Sequence, residues 1–153
     1  IPSPQSRKLY DERVALVGDA GGLIKPLTGG GIYMGLTCAR IAGDVLTEAL
    51  ENNPTKERLQ KYEERVGKKF GEELELGNRA KNVFCKMSND DLSELVQLLK
   101  TQEIKDIILE NAEFDRHSNL LKSLLKKGPQ LLKSIGTINT MKYFNWFFRS
   151  QKE

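Results

Sequence analysis

The stretch "RVALVGDAGGLIKPLTGGGIYMG", Arg13–Gly35, decides the reading of this chain. It sets Gly18, Gly21, Gly22, Gly29, Gly30 and Gly31 within fourteen residues, where an ordinary turn needs one or two glycines. A backbone so bare of side chains lets another group come close, because glycine tolerates unusual dihedrals and removes the Cβ barrier. Ahead of it, Val14–Val17 is a β-branched and apolar run that reads as a buried strand. Behind it, Ile32–Leu50 reads as a helix, with Ile32, Gly35, Ala39, Ala42 or Gly43, and Leu46 on one face. Asn52, Asn53 and Pro54 close that helix.

Four chemistries compete for the loop. A GxxxxGK[ST] phosphate loop needs a lysine and a hydroxyl closing the glycine run, and Gly31 is followed by Ile32 and Tyr33. Gly29, Gly31 and Gly35 imitate a dinucleotide fingerprint, but the first glycine of that motif follows directly on its strand. A flexible turn would account for the glycine content alone. The fourth reading uses the whole stretch. Asp19, in "VGD" at the end of the strand, can accept hydrogen bonds from sugar-like hydroxyls, and Pro26 stiffens the loop. Three glycines then lead into a helix whose free N–H groups and positive dipole end face a ligand. Such a site suits a polyol and, beside it, an electron-rich or anionic ring edge.

The rest of the chain is helical in pattern. Thr55 caps a long helix reaching about Met87, with Leu59, Tyr62, Val66, Phe70 and Leu74 in a stripe. "SNDD" starts another, capped by Asn89 or Asp90, with Leu92, Leu95, Val96 and Leu99. A short helix holds Ile104, Ile107 and Ile108. "NLLKSLLKKG" follows, ended by Gly128-Pro129, and a last helix runs through Leu131, Ile135, Ile138 and Met141 to Phe148. One strand cannot make a sheet, so its partners are missing from the chain or come from its first dozen, irregular residues. The chain opens on Ile1 rather than Met, with Pro2 and Pro4 leading straight to the strand. It reads as a fragment of a longer protein, mainly α with a small β remnant.

Charge adds little on its own. The net +3 over 153 residues does not argue for nucleic acid, and no such partner is expected. Its distribution is uneven, since Asp115–Glu153 holds 8 Lys and Arg against 2 Asp and Glu, which suits an anionic partner or a solvated helix face. Cys38 and Cys85 show no metal spacing and no disulfide framework, which fits a cytoplasmic protein with no metal site. No apolar run reaches the ~18 residues of a membrane span.

The glycine stretch resembles the second flavin-binding motif of the para-hydroxybenzoate-hydroxylase superfamily of FAD enzymes. It is most similar to the geranylgeranyl reductase branch, which includes archaeal digeranylgeranylglycerophospholipid reductases and shows "GDAAG" followed by "P-T-G-G-G-I". The hydroxylase branch more often has histidine where this chain has Gly22. The resemblance implies that residues 1–53 are the C-terminal piece of a Rossmann-type α/β FAD-binding domain (strand, GD loop, helix) and 54–153 a helical C-terminal region. It implies that Asp19, following Gly18, holds the ribitol hydroxyls of FAD. Gly31, Ile32 and Tyr33 would offer backbone N–H groups to the flavin N1–O2 edge, while Pro26, Gly29 and Gly30 line the isoalloxazine. The N-terminal GxGxxG unit and the substrate-covering sheet do not occur here, so the chain would be the C-terminal third of an oxidoreductase that saturates prenyl C=C bonds of geranylgeranyl lipids, inactive alone. The alternatives are a monooxygenase of the same superfamily and, in another class, a non-catalytic helical module binding lipid or a membrane surface.

No catalytic residue is assigned. Lys25 reads as a solvated loop lysine, with a cofactor phosphate as the other option. Tyr33 and Met34 read as packing residues, Cys38 as a small core residue, and His117 in "FDRHSN" as polar and exposed. Arg79 and Lys81 read as a wet helix face. "MKYFNWFFRS" is either a helix docking its aromatic face on a core or an interfacial segment peripheral to a membrane.

Overall fold

The computed structural model describes residues 8–135, with side chains through Lys127. They fall into two compact units divided between Glu75 and Leu76. The first begins with a small hairpin. Tyr10–Asp11 (β1) pairs antiparallel with Val14–Ala15 (β2), Tyr10 opposite Ala15 and Asp11 opposite Val14. The Leu16 N–H extends the pairing by donating to the Leu9 carbonyl at 2.7 Å.

The expected strand is thus shorter than Val14–Val17, and Val14 is 48% exposed rather than buried. Its partner does come from the first dozen residues. Val17 keeps extended dihedrals, but Gly18, at φ 60°, swings the chain off the ladder into a 3₁₀ turn, Gly18–Gly21.

Two helices build the core of this unit. Helix α1 spans Ile32–Glu51 and helix α2 spans Lys56–Phe84. Met34, Cys38, Ala42, Val45 and Ala49 of α1 share one apolar cluster with Leu59, Tyr62, Val66, Phe70 and Leu74 of α2, and with Leu9, Tyr10 and Leu23. The stripe expected on α2 is the one that is buried. The stripe expected on α1 is buried only in part: Ala42 is buried and Leu46 packs against the cluster, but Ile32 is 82% exposed and Ala39 is also exposed. The buried set lies one residue earlier in register, a rotation of about 100°. Size explains it, since Met34, Cys38 and Val45 fill more of the space facing Tyr62 and Phe70 than Gly35, Ala39 and Gly43 could.

The Tyr62 hydroxyl donates to the Leu16 carbonyl at 2.9 Å, tying α2 to the end of the hairpin. Burial holds the Tyr62 phenol well above its ordinary pKa. Cys38 is fully buried, and the same desolvation pushes its thiol up to about 11. On the surface, Lys56 Nζ bridges the Asp11 carboxylate at 2.6 Å, which holds Asp11 below its usual range.

The second unit carries α3 (Asn89–Leu99), α4 (Gln102–Asn111) and α5 (Ser118–Ile135). The cap of α3 is Ser88 rather than Asn89 or Asp90. Its hydroxyl accepts the Asp91 N–H while the Asp91 carboxylate accepts the Ser88 N–H at 2.8 Å. This reciprocal box satisfies two backbone donors at once, which neither alternative does. Ile104 and Ile107 of α4 are buried, and α4 packs on α5, where Ser123 Oγ donates to Asn111 Oδ1 at 2.8 Å.

Helix α5 does not end at Gly128-Pro129 but continues to Ile135. The leucines at 120 and 121 and those at 131 and 132 are eleven residues apart in sequence, about three helical turns, so the helical pattern stays in phase across the breakers. The expected helix end beyond Ile135, with its aromatic segment, lies outside the described residues, as do Pro2 and Pro4. Among the described residues no helix is long and apolar enough to cross a membrane.

Candidate cofactor-binding loop

Residues 18–33 form one continuous loop closed by its own backbone. The Leu23 N–H returns to the Gly18 carbonyl at 3.0 Å, and Gly22, at φ 69°, ends the 3₁₀ turn by donating to the Asp19 carbonyl at 3.0 Å. Further on, Lys25 clamps the triple glycine. Its N–H donates to the Gly30 carbonyl at 3.0 Å and its carbonyl accepts the Gly29 N–H at 2.9 Å. Pro26, Leu27 and Thr28 make the exposed end of this second turn, and Gly29 takes φ 70°, where a side chain would be strained. Nothing lies within 4 Å of where a Cβ on Gly29 would stand, so that side of the turn is open.

The two halves of the loop meet at Gly31, the residue before α1. A Cβ there would stand 2.8 Å from Asp19 Oδ1 and 3.3 Å from Ile24 Cγ2. The Asp19 carboxylate therefore lies directly against the start of α1, on a solvent-exposed face. No side chain caps α1, and its first turn holds no acidic residue. The N–H groups of Ile32, Tyr33 and Met34 have no partner within the helix, and they carry the positive end of its dipole. A carboxylate acceptor and a row of backbone donors thus stand side by side, over glycine, with no Cβ between them.

All eight residues proposed from the sequence lie on this loop. Packing brings Asp19 and Gly31 together across twelve positions of chain, while Gly18, Gly29, Gly30 and Pro26 shape the two turns. Ile32 projects into solvent. The Tyr33 ring turns inward and meets Phe70 edge-on, centroids 6.0 Å apart, which leaves its backbone as the part turned to the loop. Met34 and Cys38 are core residues, as expected.

Lys25 is the correction. It is not a solvated lysine but only 5% exposed, its Cε 2.8 Å and its Nζ 3.4 Å from where a Cβ on Gly30 would stand. The signal was in the sequence: Lys25 sits in "LIKPL", with apolar neighbours on both sides. His117 is half-buried rather than exposed, far along the chain from this loop. Among the described residues, no three His, Cys, Asp or Glu are grouped to hold a metal ion.

The relatives bear on what such a loop serves. The chain is 36% identical over 126 residues to an uncharacterized protein of Methanocaldococcus jannaschii, covering 82% of this chain and 32% of that one. It is likewise 36% identical over 127 residues to the digeranylgeranylglycerophospholipid reductase of the same organism, covering 82% of this chain and 30% of the reductase. The fold matches the crystal structure of a geranylgeranyl bacteriochlorophyll reductase-like protein from Thermoplasma acidophilum, with a TM-score of 0.62 at 28% identity, over 84% of this chain and 31% of that one. No family model matches the chain. It spans about a third of the length of the relatives it matches.

Proposed function

Because the chain belongs to the geranylgeranyl reductase family, of whose members it spans about a third, we propose that it is the C-terminal part of an FAD-dependent prenyl reductase. Residues 1–53 then complete the FAD-binding domain and 54–153 form the helical region behind it. The observation that carries this reading is the Asp19 carboxylate lying against Gly31 at the uncapped start of α1.

The residues present fit the group. FAD has a chain of ribitol hydroxyls, which the exposed Asp19 carboxylate accepts, and next to it a ring edge that becomes anionic on reduction. The backbone N–H groups of Gly31, Ile32 and Tyr33 point donors and the helix dipole at such an edge without bringing a base or a nucleophile near it. Gly29 and Gly30, bare of Cβ, with Pro26 beside them, leave a surface on which a flat ring can lie. Bound FAD would supply hydride to a prenyl C=C bond, the double bonds of a geranylgeranyl lipid being saturated in turn. The chain's own residues bind and orient the ring, and they favour the charge it carries when reduced. An enzyme acting on such a lipid works at a membrane surface. Lys122, Lys126 and Lys127 of α5, with its leucines, suit peripheral contact there.

The test uses the complete polypeptide, in which these residues are joined to the remaining two thirds of the relatives' length. The flavin is reduced without oxygen and a geranylgeranyl lipid is added. Return of oxidised-flavin absorbance together with saturation of the lipid is the expected result. Reoxidation only by oxygen, with hydroxylation of an aromatic compound, would instead identify a monooxygenase. A complete polypeptide that neither contains flavin nor takes it up would overturn the reading of this loop.

A further inference from the structure

Leu16 stands three residues before Asp19, and its carbonyl is where α2 takes hold of the loop. The wholly buried Tyr62 donates its hydroxyl to that carbonyl at 2.9 Å. The Leu16 N–H is held as well, on the Leu9 carbonyl at 2.7 Å. The 3₁₀ turn folds close against the same peptide, since a Cβ on Gly21 would stand 3.2 Å from the Leu16 oxygen and 2.9 Å from Leu9 Cδ2. Eight residues beyond Tyr62, about two helical turns, Phe70 meets the Tyr33 ring. The buried stripe of α2 thus grips the chain on both sides of the loop, at Leu16 before Gly18 and at Tyr33 after Gly31. Between those grips the contact with α1 is smooth. A Cβ on Gly18 would stand 3.9 Å from the Gly35 Cα, so the turn carrying Asp19 meets the first turn of α1 backbone to backbone, with no side chains interlocked at that point. A hydrogen bond has a length and a direction, and the Tyr62 bond supplies both from the core side.

We propose that Tyr62 is a positioning residue of the flavin site. Through the Leu16 carbonyl it fixes where the Asp19 carboxylate stands against the start of α1, and so how tightly that carboxylate holds the cofactor. This deepens the reading of the loop as an FAD site and rests on it. Tyr62 touches no cofactor and acts only through the chain it ties. A binding group keeps its full strength while the residues behind it hold it in place. Without the hydroxyl, Leu16 loses its tie to α2, and the turn it leads into can shift along the first turn of α1. Asp19 moves with that turn, away from the Gly31 N–H beside which it serves.

The experiment is a fluorescence titration of FAD into the apoprotein of the complete polypeptide, with urea unfolding alongside. Wild type is compared with Tyr62→Phe, Asp19→Ala and the double variant. Phenylalanine keeps the ring and removes the hydroxyl alone. Tyr62→Phe should weaken FAD binding about five- to tenfold, the worth of one ordinary hydrogen bond. In the Asp19→Ala background it should change binding by less than about twofold, because no carboxylate is left to position. Its effect on the urea midpoint should be the same in both backgrounds, so a merely structural role would leave that coupling at zero. Val66→Ala, in the same core, should lower the midpoint at least as far and keep FAD affinity within about twofold of wild type. Tyr62→Phe protein that binds FAD like wild type overturns the proposal. So do losses that simply add with Asp19→Ala, and so does an equal loss in Val66→Ala. Should Tyr62→Phe fail to fold, Gly21→Ala displaces the same Leu16 carbonyl and takes its place in the cycle, with the same outcomes deciding. Wild-type apoprotein that takes up no FAD refutes the FAD site itself, an outcome visible before any variant is made.

Discussion

Replacing Gly31 by alanine puts a methyl group where two side chains already stand. Its Cβ would lie 2.8 Å from Asp19 Oδ1 and 3.3 Å from Ile24 Cγ2. The backbone does not object, since Gly31 has φ −116° and ψ −13°, open to any residue. The cost therefore divides between packing and site. Asp19 is exposed and can swing away at little expense, but Ile24 is buried and has to yield. Mild overpacking together with a poorer N-cap residue comes to about 1–2 kcal/mol of stability. In urea unfolding this shows as a lower midpoint with an unchanged slope.

The larger effect is on the cofactor. Under the proposed function, pushing the carboxylate off the helix start loses the charged hydrogen bonds it accepts from the ribitol hydroxyls, each worth about 1.5–3 kcal/mol. FAD should bind roughly ten- to a hundredfold more weakly to the complete polypeptide, as read by fluorescence titration of the apoprotein. Asp19→Ala alone should cost a similar factor while barely changing stability. Because both substitutions remove the same contact, the double variant should bind FAD about as weakly as either single one, a strong coupling in a mutant cycle. A Gly31→Ala protein that binds FAD within about twofold of wild type, or a double variant whose losses simply add, would refute the joint site.

Other consequences are more local. Tyr62→Phe removes the only donor the structure gives the Leu16 carbonyl among the described residues and should cost about 1–2 kcal/mol, measured by urea unfolding. Phe70→Ala empties the centre of the α1–α2 core and the Tyr33 ring contact, for about 3–5 kcal/mol. Ser88→Ala removes the hydroxyl half of the α3 cap, leaving the Ser88 N–H on the Asp91 carboxylate, and should cost about 1 kcal/mol, with faster hydrogen exchange confined to the first turn of α3. The Cys38 thiol titrates higher folded, at about 11, than unfolded, near 9.0, so its contribution is whole below pH 9 and is lost as pH rises through 11. Unfolding free energy should fall over that window, less steeply in Cys38→Ala, and a maleimide at neutral pH should label exposed Cys85 well before Cys38.

The parts of the fold that the sequence made legible are those whose signal is local. The α2 stripe from Leu59 to Leu74 repeats at helical spacing over four turns, so its burial could be read directly. The glycine run could be read because few folds need it. The pattern points one residue past the Ser88 cap because "SNDD" offers four capping side chains in a row, and only the reach of Asp91 back to the Ser88 N–H chooses among them. Gly128-Pro129 reads as a helix end because two adjacent breakers outweigh, over a short window, the phase of the leucines on either side. Lys25 reads as solvated for a different reason. Lysine is usually solvated, and nothing in the spacing shows that its stem folds back upon Gly30. That contact depends on a turn closed by two backbone hydrogen bonds, which the sequence suggests only through Pro26 and Gly29.

The misreading of α1 says most about how the site works. Its sequence carries two apolar stripes: the buried one through Met34, Cys38, Val45 and Ala49, and a second through Ile32, Leu36 and Leu50 that faces solvent in this structure. A pattern analysis that expects one stripe averages the two and lands between them. A helix apolar on two faces is one made to be enclosed. Under the proposed function, the cover is the remaining two thirds of the relatives' length, which this chain does not span. Covering the second stripe would fix the start of α1 from both sides. Backbone donors stabilise charge most when they need not reorient as it develops. The outer face of α1 and the bare turn at its head then serve one purpose: the first makes rigid what the second aims.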